Sequence, residues 1–165
     1  MGVAICLQLD GVKGESTTAG HDDGTWIDVL SWNWGMTQSA SAHISTGAGT
    51  GSADVKDLTI TKYVDRASPK LLYDCFKGTS HKSAILAVLK VMGDPKKPLP
   101  MVKITMSDTV FISSVHTGDP GENDRYIETV TLNFATVNFE YTGQKKDNTP
   151  DSSVPSGTIE IAKKF

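Results

Sequence analysis

The segment "YIETVTLNFATVNFEY", Tyr126 to Tyr141, alternates apolar and polar residues over its whole length, a period that suits a strand with one buried face and not a helix. Its apolar residues change parity part-way: Val130, Leu132 and Phe134 occupy even positions, then Val137, Phe139 and Tyr141 odd ones. Side chains in a strand repeat every two residues, so one face stays buried across such a change only if an extra residue is inserted. The pattern therefore predicts a β-bulge near Ala135 and Thr136, and bends of that kind let a sheet curl into a barrel.

Other stretches share the period. Val3, Ile5, Leu7 and Leu9 alternate with Ala4, Cys6 and Gln8, and the run from Met101 to His116 alternates through Val102, Ile104, Met106, Val110 and Ile112. In "TWIDVLSWNWG", Trp26, Leu30, Trp32 and Trp34 share one face and Ile27, Val29, Ser31 and Asn33 the other, so the first half reads as buried on both sides and the second as half polar. "DVKDLTITKYVD" sets Val55, Thr59, Thr61 and Tyr63 opposite Leu58, Ile60 and Val64, and Ser83 to Met92 reads as a two-sided apolar strand. The "TGDPGENDR" stretch between two long alternating runs is a hairpin tip. One helix is predicted in "ASPKLLYDCFKG", with Ser68 as N-cap, Pro69 where a missing N–H costs nothing, a stripe of Leu71, Leu72, Cys75 and Phe76, and Gly78 as terminator. Six or seven strands and one short flanking helix make a mainly β chain, a small antiparallel β-barrel of two packed sheets.

The 165 residues suffice for one domain, covering 1–165, with a loose polar segment at 143–157 before a last short strand in "TIEIAKKF". A net charge of -3 offers no field for nucleic acid, and no run is long and apolar enough for membrane insertion. "MGVAICLQLDG" has no basic region, long apolar run or cleavage site, so it does not read as a secretory signal. Cys6 and Cys75 lie in apolar contexts and read as buried thiols. His21, His43, His81 and His116 are scattered without ligand spacing and read as solvated, so no metal, cofactor or catalytic residue is assigned.

The loop after "WNWGM" stands apart. Residues 37–53 comprise the hydroxyl side chains Thr37, Ser39, Ser41, Ser45, Thr46, Thr50 and Ser52, and the small residues Ala40, Ala42, Gly47, Ala48, Gly49, Gly51 and Ala53. Gln38, His43 and Ile44 complete it, without a formal charge. Its glycines at every second position fit no nucleotide loop, since there is no lysine and the loop leads into a strand instead of a helix.

Taken in order, "LDGVKGES", "IDVLSWNWGMTQS", "DLTITKYVDRASPKL" and "ISSVHTGDPGENDRYIETVTLNFATVNFEY" resemble the haemolysin-coregulated protein (Hcp) family, the tube subunits of the bacterial type VI secretion system, from about Val3 to Gln144. The C-terminus departs: many members end in a longer strand carrying an aromatic residue, where this chain has "SGTIEIAKKF". The resemblance implies a non-enzymatic subunit that forms hexameric rings with a wide channel, stacked inside a contractile sheath behind a spike and carrying effector proteins. It implies cytoplasmic assembly before export without a leader peptide. On that reading residues 37–53 are the ring and stacking arm. With Trp32 and Trp34 turned to the core, Ser31 and Asn33 face the channel. The alternative is a monomeric ligand-binding barrel with an apolar interior pocket.

Overall fold

The computed structural model describes residues 2–43, 51–91, 94–151 and 156–161. The arm residues 44–50, Met92 and the terminal "KKF" lie outside these. In chain order the elements are β1 (Ala4–Leu9), β2 (Trp26–Val29), β3 (Ser31–Asn33), β4 (Met36–Gln38), β5 (Ala53–Val55), β6 (Leu58–Tyr63), α1 (Ser68–Lys77), β7 (Ser80–His81), β8 (Ala84–Lys90), β9 (Leu99–Pro120), β10 (Tyr126–Tyr141) and β11 (Ser156–Glu160). Strands outnumber the expected six or seven because β3, β4, β5 and β7 are two or three residues long, too short to show a period.

Nine strands form one antiparallel sheet in the order β2-β1-β8-β9-β10-β6-β3, with β11 added to β10 and β7 to β9; β4 and β5 form a separate ribbon. The strands at the two ends of this path, β2 and β3, are consecutive and joined by Leu30 alone, so the sheet has to roll until its ends are neighbours. No ladder seals the seam among the described residues, and the barrel stays open there, crossed by a bond from Leu30 N–H to the Thr61 carbonyl (2.7 Å). The interior is filled by side chains. Leu7, Ile27, Leu58, Ile60, Leu71, Leu86, Ile104, Met106, Val130 and Leu132 are all fully buried.

The β10 register against β9 slips between Phe134 and Thr136, the bulge that the parity change requires, and again at Ile127/Glu128 and Thr131/Leu132. The hairpin tip lies where expected, between Pro120 and Tyr126. The C-terminal segment does supply a strand, with Val137 of β10 paired to Ile159 of β11, and residues 143–151 form a small hairpin in which Lys145 N–H donates to the Thr149 carbonyl (2.8 Å) and Asp151 N–H to the Gly143 carbonyl (2.9 Å).

Four expectations are corrected. The Trp26 to Trp34 stretch is two strands on different neighbours: β2 pairs with β1 and β3 with β6. The inward parity flips at Leu30, so Ile27 and Val29 are buried while Asp28 and Leu30 are exposed. Ser68 is not the N-cap. Ala67 holds that position without a side-chain bond; the Ser68 hydroxyl accepts from Asp65 N–H (2.9 Å) and donates to Glu128 Oε1 (2.6 Å), and Asp65 Oδ1 accepts from Ala67 N–H (2.9 Å). The buried residues of α1 are Ser68, Leu71 and Asp74; of the predicted stripe Leu71 is in the core and Cys75 packs against it, while Leu72 and Phe76 are exposed, Phe76 by 86%. Gly78 does terminate the helix, at φ 64°. His81, read as solvated, is buried: Nδ1 donates to the Asp10 carbonyl (2.7 Å) and Nε2 lies 3.3 Å from Asp74 Oδ2. Cys6 is buried as expected and Cys75 half-buried, both free; burial pushes the Cys6 thiol up, opposed by a hydrogen bond from Ser16.

Candidate interaction arm and polar face

The chain leaves β3 through Trp34, whose ring packs against Phe139 (centroids 6.4 Å apart) and Phe134 (6.2 Å), both on β10. The indole Nε1–H donates to the Lys56 carbonyl (2.9 Å), and Lys56 N–H donates to the Gly35 carbonyl (3.0 Å), so both roots of the arm are tied to one aromatic anchor. The return is clamped by Asp57. Its carboxylate accepts from Ser113 Oγ (2.7 Å) on β9 and Asn133 Nδ2 (2.9 Å) on β10.

Beyond these clamps the arm is an antiparallel ribbon, Met36 opposite Val55, Thr37 opposite Asp54 and Gln38 opposite Ala53. Ser39 N–H donates to the Ser52 carbonyl (3.3 Å) and Ser52 N–H to Ser39 Oγ (2.9 Å), extending the pairing by one step. A Cβ on Gly51 would stand 2.0 Å from Ala40 N, so the two legs approach too closely there for any other residue. Residues 36–43 are all exposed. Such a two-stranded ribbon is marginal in water by itself, and here its rigid part is its root. The arm is therefore not a simple loop, since its ends are strands.

Ser31 and Asn33 are exposed on β3, and Trp32 and Trp34 pack against the core, as the alternation predicts. The register carries their face across three more strands. Asn33 stands beside Thr59, Thr59 beside Thr131 and Thr131 beside Ser114; in the parallel row Ser31 leads through Thr61 and Thr129 to His116. Facing pairs in a ladder share a side, so this is one hydroxyl-rich surface with no carboxylate or amine in either row. Ser114 and Thr131 are hydrogen-bonded through their hydroxyls.

The opposite side of the same strands carries groups that the sequence does not announce. Lys62 on β6 and Glu128 on β10 are directly opposed, fully buried and ion-paired. Lys62 Nζ also donates to Asp65 Oδ1 (2.9 Å) and to the Tyr63 carbonyl (2.8 Å). With Ser68 on Glu128, this network pins the helix N-terminus to the sheet. Farther along α1, Asp74 holds Lys70 (2.7 Å) and faces His81. The sequence signal available was a lysine at an inward-parity position beside Leu58 and Ile60.

Residues 6–141 match the family model described as "Type VI secretion system effector, Hcp". Protein hcp1 of Pseudomonas aeruginosa is 41% identical over 151 residues, covering 92% of this chain and 90% of that protein. The chain belongs to the Hcp family. It is accordingly a tube and effector protein of the type VI secretion system. Among solved structures, a type six secretion system protein superposes with a TM-score of 0.86 at 27% identity, covering 98% of this chain and 97% of the other. Hcp1 from Salmonella typhimurium gives 0.76 at 30% identity over 98% and 97%. Among the described residues no helix is long and apolar enough to cross a membrane. The alternative of a monomeric ligand-binding barrel is not supported: core side chains such as Leu7, Leu86, Ile104 and Leu132 occupy the interior that it needs as a pocket.

Proposed function

We propose that this chain builds hexameric rings that stack into the inner tube of the secretion machine, with residues 37–53 as the contact arm and the Ser31/Asn33 face lining the channel. The observation that carries this reading is an exposed ribbon, without charge over residues 37–53, rooted by Trp34 and Asp57 and projecting from its own barrel. A ring needs a heterologous contact whose rotation closes, so each subunit presents two different complementary surfaces, and a projecting arm is one such surface. The role is structural rather than catalytic. The partners are further copies of the chain, a contractile sheath, a spike and effector passengers, with assembly in the cytoplasm before export.

Size-exclusion chromatography with light scattering tests the ring, and deletion of residues 40–51 tests the arm. The purified parent is expected to run as a hexamer or a stack of hexamers; a strict monomer at high micromolar concentration would sink the reading. The deletion joins Ser39 to Ser52, already bonded across the ribbon, in a two-residue turn, so the barrel keeps its thermal stability while stacking and export fall. Export and tube formation equal to the parent would remove the arm from the assembly.

The hydroxyl face supports the channel assignment, because a lumen that serves varied passengers is better lined by adaptable polar groups than by a fixed charge pattern. Asn33→Arg is expected to leave rings intact and reduce the effector that co-purifies. Should the rings break, or should a crosslinker at position 33 label only sheath protein, the face points outward.

A further inference from the structure

The composition of the arm restricts how it can hold anything. Residues 37–53 contain no Lys, Arg, Asp, Glu or Pro and one large aliphatic side chain, so neither ion pairing nor substantial apolar burial is open to them. What remains is the main chain. Exposed strand edges in proteins are ordinarily blunted by lysine, proline or an inward charge because they pair with other chains, and β4 has none of these.

The ribbon's own bonds show which groups point outward. Gly35 is bonded to Lys56 and Ser39 to Ser52, and bonded pairs alternate in an antiparallel ladder, so Thr37 is the next bonded position between them. The N–H and C=O groups of Met36 and Gln38 therefore face away from β5, and among the described residues β4 has β5 as its one ladder partner.

A receptor edge has to be open as well. That of β2 is taken by its own chain, since Ser16 N–H donates to the Trp26 carbonyl (3.1 Å) and Gly14 N–H to the Gly24 carbonyl (2.9 Å). β3 and β7 offer three and two residues. β11 offers five, exposed at Ser156, Gly157 and Thr158, and among the described residues its ladder partner is β10 alone.

We infer that β4 of one copy adds through its outer main-chain edge to β11 of a second copy, so that tube contacts are made by β-augmentation. This rests on the tube reading and gives it a mode and a receptor site. Main-chain pairing supplies affinity without side-chain identity, which is how an arm of serine, threonine, alanine and glycine forms a specific contact.

The test is Gln38→Pro against Gln38→Val. Proline removes the outward N–H and leaves the inward bonds at Thr37 and Ser39, a substitution that an edge strand tolerates; valine removes the same side chain and keeps the N–H. Gln38→Pro is expected to keep the parent's melting temperature within a few degrees and to raise the concentration needed for assembly about tenfold or more, the scale of one main-chain hydrogen bond per contact, whereas Gln38→Val assembles like the parent. Assembly of Gln38→Pro at the parent's concentration overturns main-chain pairing and leaves the tube reading standing, while a parent that never assembles overturns both. The receptor is tested separately, in chains that assemble: Gln38→Cys together with Thr158→Cys is expected to give interchain disulfides under mild oxidation that neither single variant gives. Assembled tubes in which the double variant forms no such disulfide overturn the assignment to β11.

Discussion

Lys62→Met lowers the free energy of unfolding by about 3–5 kcal/mol, the range for removing one member of a buried ion pair. The cost comes from what stays behind. Glu128 is fully buried, and its Oε2 has no hydrogen-bond partner among the described residues even with the lysine present. Without Lys62 it and the nearly buried Asp65 face each other's region with no cation between them. Glu128→Leu costs less, toward the lower end of that range, because Lys62 keeps Asp65 and the Tyr63 carbonyl. The double replacement Lys62→Met with Glu128→Leu recovers most of the loss, since buried pairs exchanged for apolar residues of similar volume are often neutral or better. Urea titrations of the three variants measure this directly. A single-variant loss under about 1 kcal/mol would mean that the pair is solvated and not buried between sheet and helix.

Leu72→Pro costs about 3 kcal/mol or more, and the effect is one of backbone alone. Leu72 lies in the middle of α1, where proline deletes a helical hydrogen bond and clashes with the preceding turn. Its side chain is 41% exposed, so Leu72→Ala is expected to be close to neutral. The contrast separates helix from side chain. Because Leu71 and Ala67 enter the core from the same helix, unwinding it also uncovers the end of the barrel that they close. Equal thermal stability of Leu72→Pro and the parent would show that no helix forms there.

The arm was legible in outline and not in construction. Its length, neutrality and glycine content stand in the sequence, but that its ends are strands does not, because three-residue strands are shorter than a period that alternation reveals. Its root was invisible for another reason. Trp34 finds Lys56 across 22 positions and Asp57 finds Asn133 across 76, and no local spacing reports a partner that far away.

The polar face was half legible. Ser31 and Asn33 follow from the alternation with Trp32 and Trp34, while the rows through Thr59, Thr131 and Ser114 require the register of four strands. Ser68 shows the same limit from the other side. A serine ahead of a proline at a helix start is a good cap by local chemistry, yet the helix begins one residue earlier than that reading places it, and the Ser68 hydroxyl donates to Glu128, 60 positions on.

By itself the sequence determined the class of structure: strands wherever the period is two, a bulge where parity changes between Phe134 and Thr136, a hairpin at the acidic tip, a helix ending at Gly78 and an arm without charge. These are local properties, set by backbone geometry and by which face of a segment is apolar. Only the tertiary structure decided which strands are neighbours, and with that the exchange of partners at Leu30, the burial of Lys62 against Glu128 and of His81 against Asp74, and the open seam of the barrel. Alternation reports that a side chain turns inward; what it meets there depends on a pairing partner tens of residues away, and for a charged group that meeting determines whether it stabilises the fold or breaks it.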